Sequence, residues 1–257
     1  MRLTFLGTGT SVGVPQLGCG CEVCTSADPR DRRLRASVLV DAEDGSRLLI
    51  DCGPDFRTQM LRQEFRPLCG VLLTHEHYDH VGGLDDLRPF CIYGPVHIYA
   101  DSDCCAHIRE HMAYCLGEHR YPGSPRIELH SLPLYSADDF ELRLGPFRVQ
   151  PVTVEHGRLP ILGYRIGSLA YLSDVKTIRP EEERKLRGVN TLIVNALRLI
   201  PHASHQTVGQ AIALARRVGA QRTYLTHLSH QAGLAALLDE ELPENVRAAY
   251  DGLTVEV

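Results

Sequence analysis

The segment Thr74-His75-Glu76-His77-Tyr78-Asp79-His80 places three imidazoles and a carboxylate within six residues. Imidazole and carboxylate together suit Zn²⁺, Mn²⁺ or Fe²⁺. One ion cannot easily use four such donors from one loop. In an extended or turn segment His75 and His77 point the same way, while Asp79 and His80 are displaced toward a neighbouring point. That arrangement suits two ions about 3.5–4 Å apart. Paired divalent ions bring the pKa of bound water down toward about 7 and stabilise charge on a phosphoryl or carbonyl oxygen, so hydrolysis is the expected chemistry. Gly82-Gly83 follows and lets the backbone turn tightly beneath the site.

A second group, Cys19-Gly20-Cys21-Glu22-Val23-Cys24, gives three thiols in six residues on a Gly-rich loop. A structural zinc site takes four ligands, commonly Cys₃His. The fourth is not local, and His230, in Thr226-His227-Leu228-Ser229-His230, is the candidate. Three unrelated loop cysteines, or a redox Cys-x-x-Cys pair without a thioredoxin-like context, are the competing readings.

The elements that must position these residues can be read from the apolar pattern. Strands are expected at Arg2–Leu6, at Ser37–Asp41 and Arg47–Ile50 around an Asp44-Gly45 turn, at Gly70–Leu73 just before the His/Asp segment, and at Val96–Tyr99. Further strands are expected at Phe147–Val154, Gly163–Ile166, Ala170–Leu172, Thr191–Val194 and Tyr224–Thr226. Helical stretches are expected around Cys104–Leu116, Pro180–Leu186 and Leu234–Leu238. Val208, Ala211, Ile212, Ala215 and Val218 form one apolar helix face that Gly219 closes. Strands and helices alternate in both halves, so sheets covered by helices are expected.

The composition sets the bounds. The 257 residues carry 27 Lys+Arg against 32 Asp+Glu, a net charge of −5, which argues against a broad grip on nucleic acid. No apolar run is long enough to span a bilayer. Nine cysteines, with no secretory h-region at the N-terminus, point to reduced thiols and a cytoplasmic protein. Without a visible linker or repeat, one domain over residues 1–257 is expected.

His-x-His-x-Asp-His after a strand resembles the metallo-β-lactamase superfamily, and Leu49-Ile50-Asp51-Cys52-Gly53 is similar to its earlier strand-Asp-x-Gly element. The resemblance implies an α/β fold, a four-layer αβ/βα sandwich of two mixed sheets flanked by helices. It implies His75, His77 and His156 on one metal and Asp79, His80 and His227 on a second. Asp174, in Tyr171-Leu172-Ser173-Asp174, and a hydroxide would bridge the two zinc or manganese ions, with Asp51 supporting the loop from behind. Two dications against Asp79, Asp174 and hydroxide leave the site net positive, so the acidic total does not bar an anionic substrate.

Gly-Cys-x-Cys-x-x-Cys paired with Leu-Thr-His-x-Ser-His resembles PhnP-type phosphodiesterases, as do Gly7-Thr8-Gly9-Thr10-Ser11-x-Gly13-Val14-Pro15 and Gly163-Tyr164. This implies hydrolysis of a small or cyclic phosphodiester and a structural zinc on Cys19, Cys21, Cys24 and His230. Ser204-His205-Gln206-Thr207 resembles the His-x-Thr element of tRNase Z, which makes His205 the expected general acid beside the catalytic Asp79. His202 is the rival on the same loop, and the helix start there could present free N–H groups to a phosphate. The alternatives are a thioester or lactam hydrolase, a tRNA 3′-processing nuclease, and a metal-bound scaffold. A homodimer is expected by family analogy.

Several residues have weaker readings. Arg88 could meet a substrate phosphate or form a surface ion pair. Gly7-Thr8-Gly9 lacks the Gly-Lys-Ser/Thr of a nucleotide loop and is expected to turn close to the metals. His97, His107, His111, His119 and His130 are expected on the surface or in packing. Cys52, Cys69, Cys91, Cys104, Cys105 and Cys115 are expected as small buried apolar residues.

Overall fold

A computed structural model describes residues 1–116 and 120–257; His119 lies outside the described residues. The chain order is β1 (Arg2–Gly7), α1 (Glu22–Thr25), β2 (Ser37–Asp41), β3 (Arg47–Ile50), α2 (Phe56–Met60), β4 (Gly70–Leu72), α3 (Tyr78–Val81), β5 (Val96–Ala100), α4 (Ser102–His111) and β6 (Ile127–Ser131). It continues with β7 (Leu142–Leu144), β8 (Phe147–His156), β9 (Leu159–Ile166), β10 (Leu169–Leu172), α5 (Pro180–Arg184), β11 (Thr191–Asn195), α6 (Val208–Val218), β12 (Arg222–Thr226), α7 (Ala235–Glu241), β13 (Val246–Ala248) and β14 (Thr254–Glu256). Two seven-stranded sheets result, ordered β14-β1-β2-β3-β4-β5-β6 and β13-β12-β11-β10-β9-β8-β7. Each is mixed: β3 to β6 and β10 to β13 run parallel to their neighbours, and the remaining pairs are antiparallel.

Side-chain alternation sorts the strands into three cores. Leu3, Phe5, Val38, Val40, Leu48, Ile50 and Leu72 face Tyr164, Tyr171 and Ile193 between the sheets. The odd-numbered neighbours Leu39, Leu49 and Val71 turn outward onto a cover that includes Phe56, Val81 and Ile108 from α2, α3 and α4. Ala170, Leu172, Leu192 and Val194 do the same under Leu186, Ala211, Leu214 and Leu238. Because both faces of these strands are covered, their sequences read as continuous apolar runs rather than alternating ones. The four-layer αβ/βα arrangement is the one expected.

Helix α6 begins later than the His-x-Thr element implied. Thr207 is its N-cap, with a reciprocal capping box to Gln210, and Gly219 ends it at φ 76°. His205 therefore lies in the loop before the cap. Three of the nearby backbone N–H groups are engaged: Gln206 N donates to Val175 O, Val208 N to Arg198 O and Gln210 N to Thr207 Oγ1. The stretch read as one helix over Cys104–Leu116 is α4 followed by a separate turn at Ala113–Cys115.

Candidate active site

The His/Asp residues come from loops at the carboxyl ends of strands in both sheets, the usual place for a site in sheets with parallel strands. His75 to His80 follow β4, His156 ends β8, Asp174 follows β10 and His227 follows β12. Two sheets thus deliver one cluster. Tyr164 of β9 reinforces the seam, its hydroxyl donating to Leu73 O, while Leu162 N donates to Thr74 O at 3.0 Å.

Backbone geometry shows how tightly the loops are drawn together. Among the described residues, four non-glycines have positive φ, and three of them are Asp51 at 63°, Asp174 at 56° and His227 at 54°. Such conformations cost energy and persist only where surrounding contacts enforce them. Gly53 and Gly83 allow close backbone approaches: a Cβ on Gly53 would lie 2.0 Å from Asp79 O, and one on Gly83 would lie 2.1 Å from Gly53 O.

Hydrogen bonds fix which imidazole nitrogen faces the cluster. Asp51 Oδ1 accepts from Thr74 N at 2.9 Å, and Asp51 Oδ2 accepts from His80 Nδ1 at 2.8 Å. An ionised carboxylate only accepts, so His80 carries its proton on Nδ1 and turns the Nε2 lone pair inward. His156 Nδ1 donates to Ser204 O at 2.9 Å with the same result.

The inward atoms converge. His75 Nε2 lies 2.9 Å from His77 Nδ1. His80 Nε2 is 3.2 Å from both Asp79 Oδ2 and Asp174 Oδ2, and His227 Nε2 is 3.2 Å from Asp174 Oδ1. Donor atoms of His75, His77 and His156, of His75, His80 and Asp174, and of Asp79, His80 and His227 lie within 4.8 Å of one another in each group.

The electrostatics of the cluster call for cations. Burial works to raise the Asp174 carboxyl, yet His227 and His80 hold it well below the usual carboxylate range. Asp79 is likewise lowered against burial by the charge of His80 and a hydrogen bond from His227. Burial pulls His80 down, but Asp51, Asp79 and Asp174 drive it well above its ordinary value. The buried His80 Nε2 has no hydrogen-bond partner, although the Asp79 and Asp174 carboxylates flank it. A nitrogen lone pair aimed into a pocket of carboxylate oxygens fits a divalent ion, which would supply the positive charge that protons on His80 and His227 otherwise provide.

His205 sits at the edge of this cluster, 9% exposed, with Nδ1 3.5 Å from Asp174 Oδ1 and its ring 4.6 Å from that of His156. Burial, then His227, lowers its pKa to about 3. The His202 ring lies 5.0 Å from it, tilted by 34°. Lys176, unremarkable in the sequence, clasps the loop that carries both: Nζ donates to His202 O at 2.7 Å and to His205 O at 3.2 Å.

The cysteine loop lies against the same edge. His230 Nδ1 is 3.4 Å from Cys19 Sγ and 3.2 Å from Cys21 Sγ, and Cys24 completes a group whose donor atoms lie within 4.8 Å of one another. The hydrogen bond with His230 leads the effects that lower the Cys21 thiol to about 6, so it is ready to bind metal as thiolate. Gly7-Thr8-Gly9 passes between the two clusters, with Leu228 N donating to Thr8 O and Thr10 N to Leu228 O.

Other expected residues fall elsewhere. Arg88 pairs with Asp85 at 2.9 Å on the exposed surface and lines a cavity with Cys91, Ile92, Arg120 and Arg126, apart from the His/Asp cluster. Cys69 and Cys91 are only half-buried, unlike Cys52, Cys104, Cys105 and Cys115. Among the described residues no helix is long and apolar enough to cross a membrane.

This geometry can be set against known proteins. The sequence model of the Beta-lactamase superfamily domain matches residues 46–228. The chain belongs to the metallo-β-lactamase superfamily. Within it the chain is PhnP-like: a crystal structure of a diphosphatase from the PhnP family is 37% identical, covers 99% of this chain and 97% of its own, and superposes with a TM-score of 0.90. The short form of human tRNase Z shares the fold at 21% identity and a TM-score of 0.74, covering 100% of this chain and 99% of its own. An octanoyltransferase of Porphyromonas gingivalis is 44% identical over 254 residues, 98% of this chain, and the chain spans 51% of that protein's length. The donor groups described above agree with the divalent-metal binding that this superfamily's fold implies.

Proposed function

We propose that the protein is a metal-dependent phosphodiesterase that hydrolyses a small or cyclic phosphodiester, with His205 as general acid. The observation that carries this reading is a nine-tenths buried imidazole at the edge of a cluster of five histidines and two aspartates, 3.5 Å from Asp174. His75, His77 and His156 would hold one zinc or manganese ion and Asp79, His80 and His227 the other, with Asp174 between them. Divalent ions bound there supply Lewis acidity and a water whose pKa is brought down to about 7.

The protein's own residues handle orientation and the leaving proton. Ser204 O holds the His156 ring, and Asp51 holds that of His80, so neither nitrogen needs to reorient. His205 Nδ1 lies 3.5 Å from Asp174 Oδ1, is buried and has no hydrogen-bond partner, so the ring faces the cluster with that nitrogen free. With a pKa near 3 the ring is neutral before substrate arrives. An anionic phosphoryl group beside it favours the protonated form, and that proton then passes to the departing alkoxide. A third ion, a structural zinc on Cys19, Cys21, Cys24 and His230, would pin the Gly7-Thr8-Gly9 loop against Leu228.

The likeness to a PhnP-family diphosphatase supports phosphoryl chemistry. The net charge of −5 speaks against RNA as substrate. The test is a substrate panel of bis(p-nitrophenyl) phosphate, cyclic nucleotides, a dinucleoside diphosphate, a tRNA precursor and an octanoyl thioester, the last because of the half-length octanoyltransferase match. Turnover confined to small phosphodiesters or diphosphates supports the reading. A preference for the thioester overturns it.

A further inference from the structure

Outside the site already described, the fold also draws His97, Glu128 and His130 together as metal-type donors. His97 lies on β5, and Glu128 and His130 lie on β6, the edge strand of the first sheet. The parallel register sets His97 opposite Glu128 and Tyr99 opposite His130. All four side chains therefore share one face, while Val96, Ile98 and Ala100 turn into the core beneath the outer helices. The spacing is invisible in sequence because thirty-three positions separate His97 from His130.

The donor atoms are already close to a coordination geometry. His97 Nδ1 lies 3.0 Å from His130 Nε2 and 3.3 Å from Glu128 Oε2, and all three donors lie within 4.8 Å of one another. Ligands at zinc–nitrogen distances of about 2.0–2.1 Å in a tetrahedral site stand about 3.3 Å apart. The two imidazoles need to part by only a few tenths of an ångström. The separation resembles the 2.9 Å between His75 Nε2 and His77 Nδ1 in the main cluster. Tyr99 stacks on His130 with ring centroids 4.6 Å apart and planes 17° apart, which holds that imidazole in place. Burial and His97 lower the His130 pKa.

We propose that His97, Glu128 and His130 form a separate binding site for a late first-row divalent cation, with zinc as the reference ion. Two imidazoles and one carboxylate suit such ions, and three protein ligands leave a coordination position open to solvent. The ion bridges β5 and β6, so it staples the exposed edge strand to its neighbour. It binds the folded state alone, because the unfolded chain does not hold these residues together, and so it raises thermal stability.

The test uses protein purified with its tightly held metals, dialysed against radiolabelled zinc and followed in parallel by thermal unfolding. The wild type takes up one further zinc per chain, and its Tm rises with added zinc. His97→Gln and His130→Gln each lose that equivalent and the zinc-dependent rise in Tm, while their phosphodiesterase turnover and zinc-free Tm match the wild type. No further uptake by the wild type, or equal uptake by the variants, overturns the proposal. Either variant that folds suffices to decide it.

Discussion

Asp51 Oδ2 and His80 Nδ1 are 2.8 Å apart and both fully buried, so one carboxylate behind the metal-type cluster sets the tautomer of an inward-facing imidazole. The same Asp51 accepts from the amide and the hydroxyl of Thr74. Three donors need acceptors on both carboxylate oxygens, and an amide would turn an NH₂ group against one of them. Asp51→Asn tolerates the positive φ but breaks this arrangement. It is expected to weaken metal retention about 10–100-fold, measured by competition with a chelator. Unchanged retention would show that Asp51 serves packing alone.

The contact between Gly53 and the metal loop gives a steric prediction. Gly53→Ala drives a Cβ against Asp79 O, where the gap is 2.0 Å. It is expected to cost at least roughly 1–3 kcal/mol of stability and to remove activity, read by chemical denaturation. Gly209→Ala in α6, whose nearest neighbour would be Thr207 Oγ1 at 3.9 Å, is the control. It should be neutral or stabilising by up to about 1 kcal/mol.

The limits of sequence reading follow the same physics. The strands expected from apolar runs lie in the interior of each sheet, where both faces are covered, and helix α6 matches its apolar face and its Gly219 stop. The four strands that the pattern did not reveal, Ile127–Ser131, Leu142–Leu144, Val246–Ala248 and Thr254–Glu256, are the four sheet edges. Edge strands are short and partly solvated, so residues such as Glu128, Arg143 and Arg247 interrupt the apolar signal. At the site, His75 to His80 were legible because their spacing is local. His156, Asp174 and His227 have no local spacing and were reached only through family resemblance. Lys176 and Ser204 act through a side chain on backbone carbonyls and through a backbone carbonyl, respectively, and no residue pattern announces such roles.

The cysteine loop predicts a metal count. Purified protein should hold about three tightly bound ions per chain, and Cys21→Ala should remove one, lower Tm and spare the other two. Elemental analysis checks this. A metal content indifferent to Cys21→Ala would refute a zinc on Cys19, Cys21, Cys24 and His230.

Lys176 is a positioning residue for the acid loop. Its Nζ holds the carbonyls of His202 and His205, and its own amide donates to Glu155 O at 2.7 Å, next to His156. Lys176→Met should reduce kcat about 10–100-fold on phosphodiesters with alkyl leaving groups, because a misplaced acid protonates poorly. A p-nitrophenyl leaving group needs little protonation, so turnover on bis(p-nitrophenyl) phosphate should change little, and Lys176→Arg should restore part of the loss. Equal losses on both substrate types would reduce Lys176 to a structural role.

The most direct measurement is turnover by His205→Ala on an alkyl phosphodiester with metal content determined on the same sample. The cluster of His75, His77, His80, His156, His227, Asp79 and Asp174 does not need His205 for its donor set. Metals should therefore stay at the wild-type level, while kcat falls about 10²–10⁴-fold through loss of the proton donor. Turnover near the wild-type value with the metals in place would contradict the assignment of His205 and the phosphodiester mechanism built on it.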